Sequence, residues 1–251
     1  MTAGKSRIDI LGVGFDNVTM DETISALEDI LGRGEKSYIV TPNSEIVYEA
    51  LKDDELRNLL RGADLVIPDG AGVVLASRIL GTPLKEKVAG IEVAENLLPS
   101  LVRMNKKLFL LGAKPGIAER AADRMREIAP GIDICGCRNG YFDDDESVVE
   151  EINSRNPDVI YVCLGAPRQE FWIKKNMHRL NATMFIGLGG SLDGFSGEVK
   201  RAPRIFIKLN LEWFYRLIKE PYRLGRMMRL PKFIIKVLAF RIKNQKIAKK
   251  V

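Results

Sequence analysis

Residues 158–197 read DVIYVCLGAPRQEFWIKKNMHRLNATMFIGLGGSLDGFSG, and this stretch decides the fold. Two short apolar runs, 159–164 and 183–188, each end in a turn of small residues, and an amphipathic segment joins them. Neither run alternates with polar residues, which is how a strand buried on both faces of a parallel sheet reads. The joining segment, 169–180, places Phe171, Trp172, Lys175 and Arg179 at helical spacing and is long enough for a right-handed crossover. The unit is therefore βαβ. Ligands of such sheets lie beyond the carboxyl ends of the strands. Those ends are Gly165-Ala166-Pro167-Arg168-Gln169-Glu170 and Gly187-Leu188-Gly189-Gly190-Ser191-Leu192-Asp193-Gly194. Glycines there let backbone N–H groups approach a phosphate, and Arg168 can add charge. The same small residues could simply close tight turns, but two such turns on neighbouring strands favour a site.

Outward from this unit the pattern repeats. Residues 7–15 read as a strand, 20–30 as an amphipathic helix stopping near Gly32 and Gly34, and 37–40 as a strand running into Thr41-Pro42-Asn43-Ser44. A helical segment reaches Leu60, and a strand at 63–67 leads into Pro68-Asp69-Gly70-Ala71-Gly72. Helices at 90–104, 117–128 and 148–154 alternate with strands at 108–111 and 132–135, and Gly112 opens another glycine turn after the first of these strands. Strands alternating with helices predict an α/β fold, a Rossmann-like and predominantly parallel sheet with helices on both faces.

A chain of 251 residues with 46% apolar content can bury a sizeable core. Its net charge of +6 is unevenly spread. From Lys200 to Val251 there are 16 Lys plus Arg and two acids, a balance of +14, so the preceding 199 residues carry −8. The composition shifts near 197–203, which predicts a core over 1–197 and a basic, amphipathic helical appendage over 198–251. A basic tail on an acidic body implies an anionic partner, nucleic acid or a membrane surface. Ile205, Phe206, Ile207, Leu209, Leu211, Trp213 and Phe214 make the tail too apolar for an arm that only tracks phosphates, so no nucleic acid is expected. In 232–246, at 100° per residue, Lys232, Lys236, Lys243 and Lys246 share one arc, with Phe233, Ile234, Ile235, Val237, Leu238, Phe240 and Ile242 around the rest. Such a helix suits an anionic headgroup layer, and the same apolar surface would serve a homo-oligomer interface. The first ten residues contain no apolar signal core, and no apolar run reaches the roughly 18 residues of a spanning helix. With Cys135, Cys137 and Cys163 odd in number and without zinc-type pairs, the expectation is a reduced cytoplasmic protein, peripheral on the inner face of the cell membrane.

Among residues that carry chemistry, Asp69 ends a buried-looking strand, where a carboxylate could take a proton from a hydroxyl or cap the next helix. Thr41 and Asn43 hold the matching place one strand earlier, as sugar-binding or capping groups. Asp143-Asp144-Asp145 has the D-x-D look of a metal-binding transferase motif, but acids ahead of a helix are explained more simply by its dipole. His178 is the only histidine, which disfavours a Ser-His-Asp triad or a histidine-rich metal site. Both G-x-G segments, at Gly12 and Gly187, lack the last glycine of a dinucleotide fingerprint.

Taken together, Thr41-Pro42-Asn43, Pro68-Asp69-Gly70, Gly165 to Glu170 and Gly187 to Asp193, followed by Arg201-Ala202-Pro203 and Glu212-Trp213, resemble the WecG/TagA/CpsF glycosyltransferases, in the expected order over nearly the whole chain. The resemblance implies transfer of N-acetylmannosamine from a UDP-sugar donor to undecaprenyl-diphosphate-linked GlcNAc, forming a β-1,4 bond of wall teichoic acid with inversion and without a cofactor or required metal. Inversion needs a base, for which Asp69 is the choice, and without a metal the departing UDP needs guanidinium groups and backbone amides, for which tail residues Arg216, Arg223 and Arg226 are candidates, with Thr41 also in the catalytic set. Asn43, Gly112, Gly165, Pro167, Arg168, Gln169, Glu170, Gly189, Gly190, Ser191 and Asp193 are expected to bind substrate. Relatives use different donors, so UDP-ManNAcA or UDP-glucose stays open, as does a non-catalytic nucleotide-binding module with a basic tail.

Overall fold

The computed structural model describes residues 7–199, 203, 206, 215 and 229–248. The chain opens with β1 (Arg7–Ile10) and β2 (Val13–Asp16), followed by α1 (Met20–Arg33), β3 (Ser37–Val40), α2 (Ser44–Ala50), α3 (Asp54–Arg61) and β4 (Leu65–Val66). Next come α4 (Ala71–Leu80), α5 (Gly90–Arg103), β5 (Lys107–Gly112), α6 (Ile117–Ile128), β6 (Asp133–Arg138) and α7 (Asp145–Arg155). The central unit is β7 (Val159–Cys163), α8 (Arg168–Asn176), β8 (Met184–Gly187) and α9 (Ser191–Phe195). A helix over Arg229–Ala248, here α10, ends the described chain.

Six strands form one parallel sheet in the order β4-β3-β8-β7-β5-β6. Alternate residues of each strand feed opposite cores. Tyr38, Val40, Ile160, Val162 and Phe185 pack with α2, α3, α4, α7, α8 and α10, whereas Ile39, Val159, Tyr161, Met184 and Ile186 pack with α1, α5, α6 and α9. Both faces are covered, which is why the strands read as unbroken apolar runs.

The first segment differs from its expected form. Residues 7–15 are not one strand but a hairpin, β1 antiparallel to β2, because Leu11 and Gly12 both turn with positive φ, 55° and 91°. This hairpin guards the sheet edge: the Asp16 carboxylate accepts from Val66 N at 2.8 Å and pairs with Arg7 at 3.3 Å. The helix expected to run to Leu60 is likewise two, because the Asp53 side chain accepts from Leu56 N at 3.0 Å and starts α3 afresh. α1 behaves as its sequence predicts, with a reciprocal Thr19–Glu22 capping box and Gly34 left-handed at its end.

α10 is two-sided in a way its sequence does not disclose. Phe233 and Val237 are fully buried against α2 and α4, while Ile235 and Ile242 stay 64% and 54% exposed, alongside Leu238. Leu230 reaches α4, where a Cβ on Gly72 would stand 2.8 Å from its Cδ1 and 2.8 Å from Ser44 Oγ. Glycine at 72 thus lets α2, α4 and α10 meet. Among the described residues no helix is long and apolar enough to cross a membrane.

Candidate active site

The faces to which the strands deliver their helices locate the crevice. β3 and β4 lead to helices on the first face, β8 to α9 on the second, β7 to α8 on the first and β5 to α6 on the second. Neighbours β3 and β8, β8 and β7, and β7 and β5 therefore part company at their carboxyl ends, and an open α/β sheet binds ligands at such switch points; the first of these carries the most expected residues. Thr41 to Asn43 and Gly187 to Ser191 flank it, with Pro68 to Gly70 on one side and Gly165 to Glu170 on the other.

Hydrogen bonds tie these turns together. Thr41 Oγ1 donates to Gly187 O at 2.8 Å, linking the ends of β3 and β8. Gln169 Oε1 accepts from Gly189 N at 2.9 Å, linking α8 to the turn after β8. Ser191 Oγ donates to Leu188 O at 2.7 Å and stiffens that turn. Asn43 Oδ1 accepts from Glu45 N at 2.9 Å and Ile46 N at 3.2 Å, so it caps α2 while standing against Gly70. Asp69 lies in the turn after β4, beyond Ile67 and Pro68, and is part-exposed; the Pro68 carbonyl accepts from Val88 N at 3.0 Å. α4 and α8 begin without a side-chain cap, so their first N–H groups face the carboxyl edge of the sheet with the dipole that suits an anion.

The remaining expected residues have structural partners as well. Arg168 lies over the Phe142 ring at 4.9 Å and donates to Gly140 O at 2.8 Å, which ties the loop after β6 to the loop after β7. The Ala166–Pro167 peptide between them is cis. Gly112 has φ 136°, and a Cβ there would stand 2.3 Å from Cys163 O, so β5 and β7 approach too closely for any side chain. Gly190 precedes α9 and Asp193 lies in its first turn. Thr41, Gln169, Glu170 and Ser191 are buried; Asp69, Asn43, Gly189 and Gly190 are not. Arg216, Arg223 and Arg226 lie outside the described residues.

The acidic run takes the helix-start form. Asp144 caps α7, accepting from Glu146 N and Ser147 N, while Asp145 accepts from Trp172 Nε1 at 3.0 Å and Lys175 Nζ at 2.6 Å. No group of three potential metal-ligating side chains occurs among the described residues.

Several contributors escaped sequence reasoning. Gly90, at the start of α5, passes so near Thr41 that a Cβ would lie 3.1 Å from Oγ1. Glu49 on α2 pairs with Arg229 on α10, beside a cleft of about 320 Å³ that Pro167 also lines. Tyr38 is buried beside Glu170, an expected residue whose own burial was not foreseen and pushes its carboxyl above the ordinary range. Only the glycine after Ala89 carried a readable hint, as a helix start without a capping side chain.

The fold is a doubly wound α/β sheet whose carboxyl edge carries the linked turns of this crevice. The chain belongs to the glycosyl transferase WecG/TagA/CpsF family, whose sequence model matches residues 8–247. It is similar to the N-acetylglucosaminyldiphosphoundecaprenol N-acetyl-beta-D-mannosaminyltransferase of Bacillus spizizenii, 40% identical over 208 residues, 83% of this chain and 81% of the relative. The Staphylococcus aureus (strain MW2) protein of the same name is 37% identical over 244 residues, 96% of each chain.

Proposed function

We propose that this chain is an inverting glycosyltransferase that moves N-acetylmannosamine from UDP-ManNAc to undecaprenyl-diphosphate-linked GlcNAc, forming the β-1,4 linkage of wall teichoic acid. The observation that carries the reading is Asp69 in the turn three residues beyond β4, one strand from the β3/β8 crevice, within a chain matched over 96% of its length by the mannosaminyltransferase of S. aureus. In this reaction the acceptor hydroxyl attacks the anomeric carbon from the face opposite UDP. Its proton passes to the Asp69 carboxylate as the new C–O bond forms and the bond to UDP breaks, with the electron pair leaving on the diphosphate. The Gly190 amide and those at the uncapped starts of α4 and α8 support that charge, and Arg216, Arg223 and Arg226 complete its neutralisation. Asn43 and Thr41 hold the sugars' side of the crevice.

The tail brings the enzyme to its lipid. The exposed Ile235, Leu238 and Ile242 recur at helical spacing beside Lys232, Lys236 and Lys243, an arrangement suited to the headgroup layer of an anionic membrane on its cytoplasmic side. Product analysis with UDP-ManNAc, UDP-ManNAcA and UDP-glucose on a lipid-diphosphate GlcNAc acceptor tests the assignment; a product only from another sugar overturns the donor. Asp69→Asn should lose about 10² to 10⁴-fold in turnover with UDP affinity nearly unchanged. Near-normal turnover removes Asp69 from the role of base.

A further inference from the structure

Beneath the Gly189 turn lies a chain of hydrogen bonds that ends on a buried carboxyl group. Glu170 is 1% exposed and Gln169 2%. Gln169 Nε2 donates to Glu170 Oε1 at 2.9 Å, while at the other end of the same amide Oε1 accepts from Gly189 N at 2.9 Å. The two ends of a glutamine amide have nearly the same shape and opposite polarity, so whichever partner holds one end fixes what the other presents. An acceptor at position 170 demands the NH₂ there and turns the oxygen to Gly189. Gly187 makes room for this: a Cβ on it would stand 2.9 Å from Gln169 Nε2. The carbonyl of Gly187 is in turn held by Thr41 from the opposite side of β8.

Glu170 is an expensive way to hold an amide. Its second oxygen, Oε2, is buried with no hydrogen-bond partner among the described residues, as is the nearby Tyr38 hydroxyl, whose ionisation burial and the Glu170 charge both oppose. An apolar residue at 170 would remove that cost, so packing alone does not account for the carboxyl.

We infer that Glu170 is a positioning residue for the donor: acting through Gln169, it pins the Gly189 amide inward and so fixes the shape of the turn that receives the UDP diphosphate. The inference rests on the proposed function for the identity of the ligand but not for the relay itself. It requires only an acceptor oxygen at 170, and protonation of the carboxyl leaves one, so the relay persists whether Glu170 is charged or neutral.

The experiment compares Glu170→Gln and Glu170→Leu with the wild type, in the full chain. Exchange of the Gly189 amide, read by NMR without ligand, should match the wild type in Glu170→Gln, which keeps a carbonyl acceptor, and should quicken at least fivefold in Glu170→Leu. UDP titrated calorimetrically should bind about five- to tenfold more weakly to Glu170→Leu and within about twofold of wild type to Glu170→Gln, although the leucine variant melts no lower. Gly187→Ala, which pushes on Nε2 from the other side, should reproduce the loss, and Tyr38→Phe should not. Unchanged Gly189 exchange in both Glu170→Leu and Gly187→Ala would overturn the relay, as would equal weakening by Gln and Leu. A wild type that shows the exchange pattern but binds no UDP would instead overturn the donor assignment and leave the relay standing.

Discussion

Truncating Phe233 to alanine should loosen α10 from the body while leaving the sheet intact. Phe233 and Val237 are fully buried, and Leu230 and Ile234 are half-buried in the same core. Complete burial of such a side chain contributes about 1.5–3 kcal/mol, so the four together hold the helix with roughly 6 kcal/mol before ordering costs. The Arg229–Glu49 pair is part-exposed and adds little. Removing the ring costs about 3 kcal/mol, the low end for a buried phenylalanine, because a docked surface helix can settle into the space that a closed core cannot fill. Half the attachment is lost, and at about 1.4 kcal/mol per factor of ten the α10 amides should exchange roughly 100-fold faster. Hydrogen exchange by mass spectrometry, with peptides from 229–248 compared against peptides from β7 and β8, reads this directly. Protection in α10 that changes less than about twofold would refute the docking estimate. An equal loss of protection in the central strands would show instead that α10 unfolds only with the whole chain.

Glycine substitutions should divide by what surrounds them: Gly112→Ala, with φ 136° and Cys163 O only 2.3 Å from the new Cβ, should cost about 3 kcal/mol or more in a denaturant midpoint, whereas Gly165→Ala, with φ 79° and open space, should cost about 1. Equal costs would mean that backbone conformation alone decides both. Because burial raises the Glu170 carboxyl above its ordinary 4.5, its stability contribution is full below that pH and is lost as pH rises through the folded value. Glu170→Gln should therefore melt with the wild type near pH 4 and above it at pH 7.5; a wild type at least as stable at pH 7.5 contradicts this. Thiol labelling at pH 8 should be far slower in the native than in the denatured protein, since burial pushes Cys137 to about 11 and Cys163 to about 12, leaving ~0.1% thiolate or less. Rapid labelling of Cys163 without denaturant would show that β7 opens.

What could be read before the structure was known followed the local physics. The strand at 37–40 and the helix at 117–128 match their predicted bounds, because an apolar run between turn residues and a stripe at helical period are signals carried within the segment itself. The hairpin at the start was hidden because Leu11 takes a left-handed conformation that leucine does not advertise, leaving Gly12 as the only cue. The α2–α3 break was hidden too, since apolar spacing continues across it and only Asp53 announces the second start. Asn43, Thr41 and the glycine turns were legible as a set, because each ends an apolar run. That Gln169 and Glu170 are buried was not legible: both sit in a segment that reads as polar and solvent-facing, and their burial depends on which strand lies beneath. α10 shows the same limit, for its periodicity marks apolar residues without revealing which of them the body covers.

The position of β8 sets when this crevice can exist. β3 and β4 are complete once residue 66 has been made, and β5, β6 and β7 form their own neighbouring set by residue 163, yet the two groups touch only through β8, whose residues 184–187 pair with β3 on one side and β7 on the other. At about 5–20 residues per second, a nascent chain spends on the order of ten seconds with one half of its pocket made and the other half unsynthesised. During that interval β3 presents an unpaired edge, and neither Thr41 nor Gln169 has the partner on β8 or its turn that orients it. A chain ended before residue 184 thus holds two separate pieces of sheet and no β3/β8 crevice. The crevice arises at the same step that joins the sheet, and on the proposed function that step also makes the donor site.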